Sequence, residues 1–212
     1  MSSVRAAVSA ATTLLLVASW ASVARAEEQA AFPGADHLPF VTNIALAPDG
    51  RVFFNEKESG EVRVVQDGEL SARPFARFDI VPSGESGLLG LALDPHFEKH
   101  PWVYVYFTDA ADGRNHLVRV LAEGNAGGTQ QTLLVLLTAT GIHNGGDITF
   151  GNDGKLYVTV GETGEAPRAQ DVGDLGGKVL RLDPDGSIPQ DNPFGANNPA
   201  YTMGLRNSFG VC

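Results

Sequence analysis

A strand–turn–strand unit recurs along this chain, and its spacing restricts the fold more than any other feature. Ile44-Ala45-Leu46-Ala47-Pro48-Asp49-Gly50-Arg51-Val52-Phe53-Phe54 is the first copy. Leu91-Ala92-Leu93-Asp94-Pro95-His96-Phe97, leading into Trp102-Val103-Tyr104-Val105-Tyr106-Phe107, is the second. Ile148 to Val160, with Gly151-Asn152-Asp153-Gly154 at its centre, is the third. Successive turns lie roughly 50 residues apart, the spacing of propeller blades of about four strands each. Asp49-Gly50, Asp67-Gly68, Asp153-Gly154 and Asp185-Gly186 sit between alternating apolar runs, and Asp-Gly accepts the positive φ that tight hairpins require. With 25 glycines and 12 prolines spread along it, the chain leaves no stretch for a long helix. The expected fold class is all-β, a β-propeller with about three blades present.

Three blades do not close a propeller, which takes about four to eight. An open arc exposes a sheet face and an edge strand, so the chain is expected to be incomplete, a fourth unit being due where Phe209-Gly210-Val211-Cys212 stands. The other end reads as a targeting segment. Arg5 precedes a small and apolar run from Ala6 to Ala24, and Ala24-Arg25-Ala26 has the small-x-small pattern of a cleavage site. Residues 1–26 are therefore expected to be a signal peptide, 27–36 a polar lead-in, and 37–212 the N-terminal half of the propeller. Ser9, Thr12, Thr13 and Ser19 dilute the apolar run below the roughly 20 residues of a span. No membrane span is expected after cleavage, and the location is expected to be periplasmic or secreted.

Charge narrows the partners. The formal net charge is −10, and it becomes −12 without residues 1–26, which carry Arg5 and Arg25 and no acid. An acidic surface repels phosphate backbones, so no nucleic-acid partner is expected, while neutral sugars suit it. Cys212 is the one cysteine, which leaves no internal disulfide and no thiolate metal site.

Several loops offer chemistry. His143, in Thr140-Gly141-Ile142-His143-Asn144-Gly145-Gly146-Asp147, precedes the first strand of a blade and is flanked by glycines. In a propeller that position is the rim of the central channel, and an imidazole there can take a proton from a hydroxyl at neutral pH. A loop histidine considered alone more often has a structural role. Glu162, in Gly161-Glu162-Thr163-Gly164, ends the partner strand of the same hairpin, close enough to orient the ring. Glu85 occupies the corresponding loop of the preceding blade, and Arg206-Asn207 lies in the loop opening the next. Asp183-Pro184-Asp185-Gly186 lacks the later ligands of a calcium loop, Gly176-Gly177-Lys178 lacks the earlier glycine of a phosphate loop, and no Gly-x-Ser-x-Gly elbow is present.

Glu85-Ser86-Gly87-Leu88-Leu89-Gly90-Leu91-Ala92-Leu93-Asp94-Pro95, His143-Asn144-Gly145-Gly146-Asp147, Gly177-Lys178-Val179-Leu180-Arg181, Asp191-Asn192-Pro193-Phe194 and Gly204-Leu205-Arg206-Asn207 follow one another in order. In this the chain resembles the soluble glucose/sorbosone dehydrogenase family, over about residues 36–210. The resemblance implies a six-bladed propeller and oxidation of the anomeric hydroxyl of aldose sugars with pyrroloquinoline quinone (PQQ). His143 matches the base, Arg206 and Asn207 match groups contacting the quinone oxygens, and Glu162 aligns with an aspartate beside the base. Glu85 aligns where glucose-oxidising members carry glutamine and is expected to touch substrate. The family's calcium ligands fall beyond the end of this chain, so no metal ligand is assigned within it. A sugar substrate and an electron acceptor are the implied partners. Two alternatives compete: a calcium-dependent propeller lactonase using Glu85, Asn144 and Glu162, and a non-catalytic propeller that binds carbohydrate or protein.

Overall fold

The computed structural model describes residues 40–211; the expected signal peptide and lead-in lie outside them. Three antiparallel sheets follow one another, each a meander in chain order. The first comprises β1 (Val41–Leu46), β2 (Val52–Glu56), β3 (Glu61–Gln66) and an outer strand in two pieces, β4 (Glu69–Leu70) and β5 (Ala76–Arg77), both paired with β3. The second comprises β6 (Leu88–Leu93), β7 (Trp102–Thr108), β8 (Arg114–Glu123) and β9 (Ala126–Thr138). The third comprises β10 (Gly145–Phe150), β11 (Leu156–Val160), β12 (Lys178–Leu182) and β13 (Ala200–Met203). A 3₁₀ turn at Ala166–Gln170 lies between β11 and β12. Among the described residues no helix is long and apolar enough to cross a membrane. This is the blade organisation of a β-propeller, in agreement with the period of the sequence.

Strand alternation explains why the blades stack. Successive β7 side chains point to opposite faces. Val103, Val105 and Phe107 enter a core shared with Phe53, Val62, Val64, Phe75 and Phe78 of the first blade. Tyr104 and Tyr106 enter a second core with Ile148, Leu156, Val158, Leu180 and Leu182 of the third. The middle sheet is thus apolar on both faces, each fully buried side chain contributing roughly 1.5–3 kcal/mol. The innermost strand β6 lies against both β1 and β10, which leaves the first strand of every blade on the channel side.

The turns obey two rules rather than one. Asp67 and Gly68 both have positive φ, 52° and 81°, as a two-residue hairpin between β3 and β4 requires. At Asp49, Asp153 and Asp185 only the following glycine is left-handed. There the carboxylate accepts the amide two residues on, from Arg51 at 3.2 Å, Lys155 at 3.1 Å and Ser187 at 3.0 Å. These are Asx turns, in which the aspartate side chain replaces a backbone acceptor.

One irregularity repeats in all three blades and sets up the site. The register of the innermost strand shifts where it begins: between Val41 and Asn43, between Leu88 and Gly90, and between Gly145 and Ile148. A bulge leaves amides without ladder partners. A polar side chain on the neighbouring strand receives them in the first and third blades: Asn55 Oδ1 from Asn43 N at 2.7 Å, and Thr159 Oγ1 from Gly146 N at 3.1 Å and Asp147 N at 2.9 Å. In the second, Thr108 Oγ1 accepts from Gly87 N, just ahead of the bulge, at 3.4 Å. The loops carrying Glu85 and His143 immediately precede two of these bulges.

Candidate active site

His143 sits just ahead of β10 with φ of 53° and is 8% exposed. Glu162 follows β11 and is 3% exposed. The β10–β11 pairing, with Gly145 opposite Val160, brings the two loops together, and His143 Nδ1 is hydrogen-bonded to Glu162 Oε1. A carboxylate only accepts, so the shared proton belongs on Nδ1 and the lone pair on Nε2. Nε2 has no hydrogen-bond partner among the described residues. The second oxygen, Glu162 Oε2, is buried and unpartnered. The imidazole is therefore held from one side and left free as a proton acceptor on the other.

Backbone bonds fix this pair. Thr163 N donates to His143 O at 3.1 Å, and Glu162 N donates to Arg206 O at 3.0 Å. Thr140 Oγ1 donates to Thr163 O at 2.7 Å, restraining a β-branched residue whose φ is 53°, an uncommon conformation for that side chain. The loops can meet because residue 161 is glycine: a Cβ there would lie 1.9 Å from His143 O.

Glu85 joins three loops. Its Oε2 accepts from His143 N and from Asn207 Nδ2 at 3.0 Å, while Gly145 N donates to Asn207 Oδ1 at 2.9 Å. Glu85 N in turn donates to Gly141 O at 2.9 Å. The carboxylate thus ties together the loops before β6, before β10 and after β13. Both polar atoms of the Asn207 side chain are engaged in this tie. Arg206 differs: its side chain is exposed and makes no hydrogen bond or ion pair among the described residues. All five predicted site residues, His143, Glu162, Glu85, Arg206 and Asn207, lie on this loop cluster. A cavity of about 420 Å³ borders it, lined by Phe40, Lys57, Glu85, Gly145, Asp147 and Phe209 among others.

Two features make contacts that the sequence does not signal. A buried polar chain runs behind His143 through Asn144, Asn115, Thr108 and Ser86, all 2% exposed or less. Its members come from strands β7 and β8 and from the loops before β6 and β10. Ser86 adjoins Glu85 and Asn144 adjoins His143, whereas Asn115 and Thr108 belong to no motif. Lys178 is the second. It is fully buried, and its ammonium donates to Gly176 O at 2.7 Å, Arg168 O at 2.8 Å and Ala169 O at 3.3 Å. Burial pushes its pKa down, because a charged form is costly away from water. It anchors the 166–177 loop, which holds the Arg206 loop through Gly204 N to Ala169 O at 2.9 Å and Leu205 N to Gly177 O at 3.1 Å.

Comparison with known proteins gives a consistent result. Residues 38–212 match the family model for Glucose / Sorbosone dehydrogenase. Aldose sugar dehydrogenase YliI of Escherichia coli is 30% identical over 189 residues, covering 83% of this chain and 51% of that relative. A Thermus thermophilus oxidoreductase described as a glucose dehydrogenase superposes with a TM-score of 0.75 at 43% identity, over 80% of this chain and 52% of that one. The PQQ-bound form of aldose sugar dehydrogenase from Streptomyces coelicolor superposes with a TM-score of 0.73 at 35% identity, over 81% and 52%. The chain spans about half the length of these relatives.

Proposed function

Because the chain belongs to the Glucose / Sorbosone dehydrogenase family, we propose that it is part of an exported quinoprotein that oxidises the anomeric hydroxyl of aldose sugars. The observation that carries this reading is the buried imidazole held at Nδ1 by Glu162 and unbonded at Nε2. An alcohol gives up its hydride readily only as its proton departs, and a positioned neutral imidazole is suited to receive that proton. On protonation the ring becomes a cation, which the adjacent Glu162 carboxylate stabilises in a water-poor setting.

The residues present suit PQQ. The Arg206 backbone carbonyl is bonded to Glu162 N, and the exposed Arg206 side chain has no partner among the described residues. An acceptor-rich quinone bearing carboxylates takes such guanidinium donors in pairs. When bound, PQQ supplies the two-electron acceptor. Arg206 then offers positive charge where negative charge builds up, and Asn207 keeps one amide N–H for the same purpose while holding the Glu85 loop. The resemblance puts the calcium that accompanies PQQ on residues outside this chain, so no metal ligand is assigned within it. Glu85 is assigned to sugar contact, a role supported by its position on the wall of the cavity.

Aldose-dependent dye reduction by PQQ-supplemented protein tests the proposal. His143→Ala is expected to lower turnover by on the order of 100-fold or more while the chain still unfolds cooperatively, at a stability reduced by about 1–3 kcal/mol because Glu162 loses its partner. Wild-type turnover in that variant would sink the assignment.

A further inference from the structure

We propose that Asn144 is a positioning residue that sets the tautomer of His143. The second blade grips Asn144 at three points. Tyr106 Oη donates to its carbonyl at 2.9 Å, Asn115 Nδ2 donates to its Oδ1 at 3.1 Å, and its Nδ2 donates to Ser86 Oγ at 3.3 Å. Thr108 Oγ1 holds Asn115 in turn at 2.8 Å. Burial pushes the Tyr106 hydroxyl pKa up, so that group remains an O–H donor. Asn144 is fully buried, and no apolar residue could both accept from Asn115 and donate to Ser86.

This grip acts on the residue before it. His143 has φ of 53°, and Gly145 and Gly146 follow Asn144 at 66° and 109°. A non-glycine residue leaves that region unless its surroundings hold it. With Asn144 seated in the second blade, the backbone before it is committed to the left-handed turn. That turn aims Nδ1 at Glu162. Released, the ring can rotate away from the carboxylate, and an isolated imidazole favours the opposite tautomer, with the proton on Nε2. A buried polar network of this kind specifies one geometry because every alternative strands a donor or an acceptor.

The inference deepens the reading of His143 as a base but needs neither cofactor nor substrate for its test. Long-range ¹H–¹⁵N spectra of the ¹⁵N-histidine-labelled chain, at a pH where the ring is neutral, report the tautomer directly. His143→Gln identifies the His143 signals. The expected result is an Nδ1–H tautomer in the wild type. A mixed or inverted population is expected in Asn144→Ala, with cooperative unfolding retained. Ser86→Ala removes only the acceptor of Asn144 Nδ2 and is expected to shift the population the same way by less. It decides the matter if Asn144→Ala does not fold. An unchanged Nδ1–H tautomer in the folded variants would overturn the role of Asn144 alone. An Nε2–H tautomer in the wild type would overturn both this role and the base assignment. Failure to oxidise sugars with the tautomers as expected would count only against the sugar reading.

Discussion

Gly161→Ala tests whether the contact of two turns determines the site. A Cβ at this position would stand 1.9 Å from His143 O, 2.4 Å from its carbonyl carbon and 2.9 Å from Asn207 Oδ1. Unstrained contact at a Cβ begins at 3.4 Å, so the His143 carbonyl would have to retreat by 3.4 − 1.9 = 1.5 Å, and backbone rather than a flexible side chain must move. Overpacking of this kind costs roughly 1–3 kcal/mol. The Thr163 N to His143 O bond at 3.1 Å would open as well, adding about 1 kcal/mol. The sum is a loss of about 2–4 kcal/mol in urea unfolding. Because an error of about 1 Å in a reacting group lowers rates by roughly 100-fold, aldose oxidation should fall by at least that much. Gly154→Ala is the control. Its φ is 71° but nothing lies within 4 Å of an added Cβ, so it meets only the left-handed penalty of roughly 1 kcal/mol and should retain full turnover. Equal stability and turnover in the two variants would refute the argument that close packing at Gly161 places the dyad.

Thr159→Val removes the acceptor of two bulge amides, Gly146 N and Asp147 N, and the donor to Ser208 O at 2.9 Å. Buried groups left unsatisfied cost about 1–3 kcal/mol each, so chemical denaturation should show a loss of at least about 2 kcal/mol. Burial raises the Tyr104 pKa to about 12 from its ordinary value of 10.0, so the folded state favours the neutral phenol. Its contribution is full below pH 10 and is lost as pH rises through about 12; wild-type stability should fall across that window more steeply than that of Tyr104→Phe. Hydrogen bonding to Arg181 holds Asp191 below the usual carboxylate range. The stability it adds is present above the unfolded carboxylate pKa and is lost as pH falls through the folded value. Asp191→Asn should flatten the acid limb of a pH–stability curve by lowering stability at neutral pH and not at low pH, and the difference should be small because the group is exposed.

Local patterning carried the fold. Alternation over five to seven residues separates Val103, Val105 and Phe107 from Tyr104 and Tyr106, and Asp-Gly turns mark where strands reverse. Both signals operate over a few residues, so they are legible without a structure. The same locality explains why His143 and Glu162 could be paired in advance: they close one hairpin, 19 residues apart. Glu85 could be placed on the correct loop from its position in the repeat.

Tertiary packing decided what those residues touch. Glu85 reaches His143 N across 58 residues and Asn207 across 122, and no pattern in the chain encodes that a carboxylate should tie three loops. Asn207 is drawn into the same tie while its neighbour Arg206 is left free, although the two share one motif. Lys178 stands in a glycine–lysine run, yet its ammonium is engaged by three carbonyls within the protein. Asn115 and Thr108 look like ordinary strand residues until the third blade covers them. The periodic sequence determined the blades because strand formation and turning depend on near neighbours. The site needed the folded arrangement because a hydrogen bond between distant loops exists only after the blades have packed and excluded water from between them.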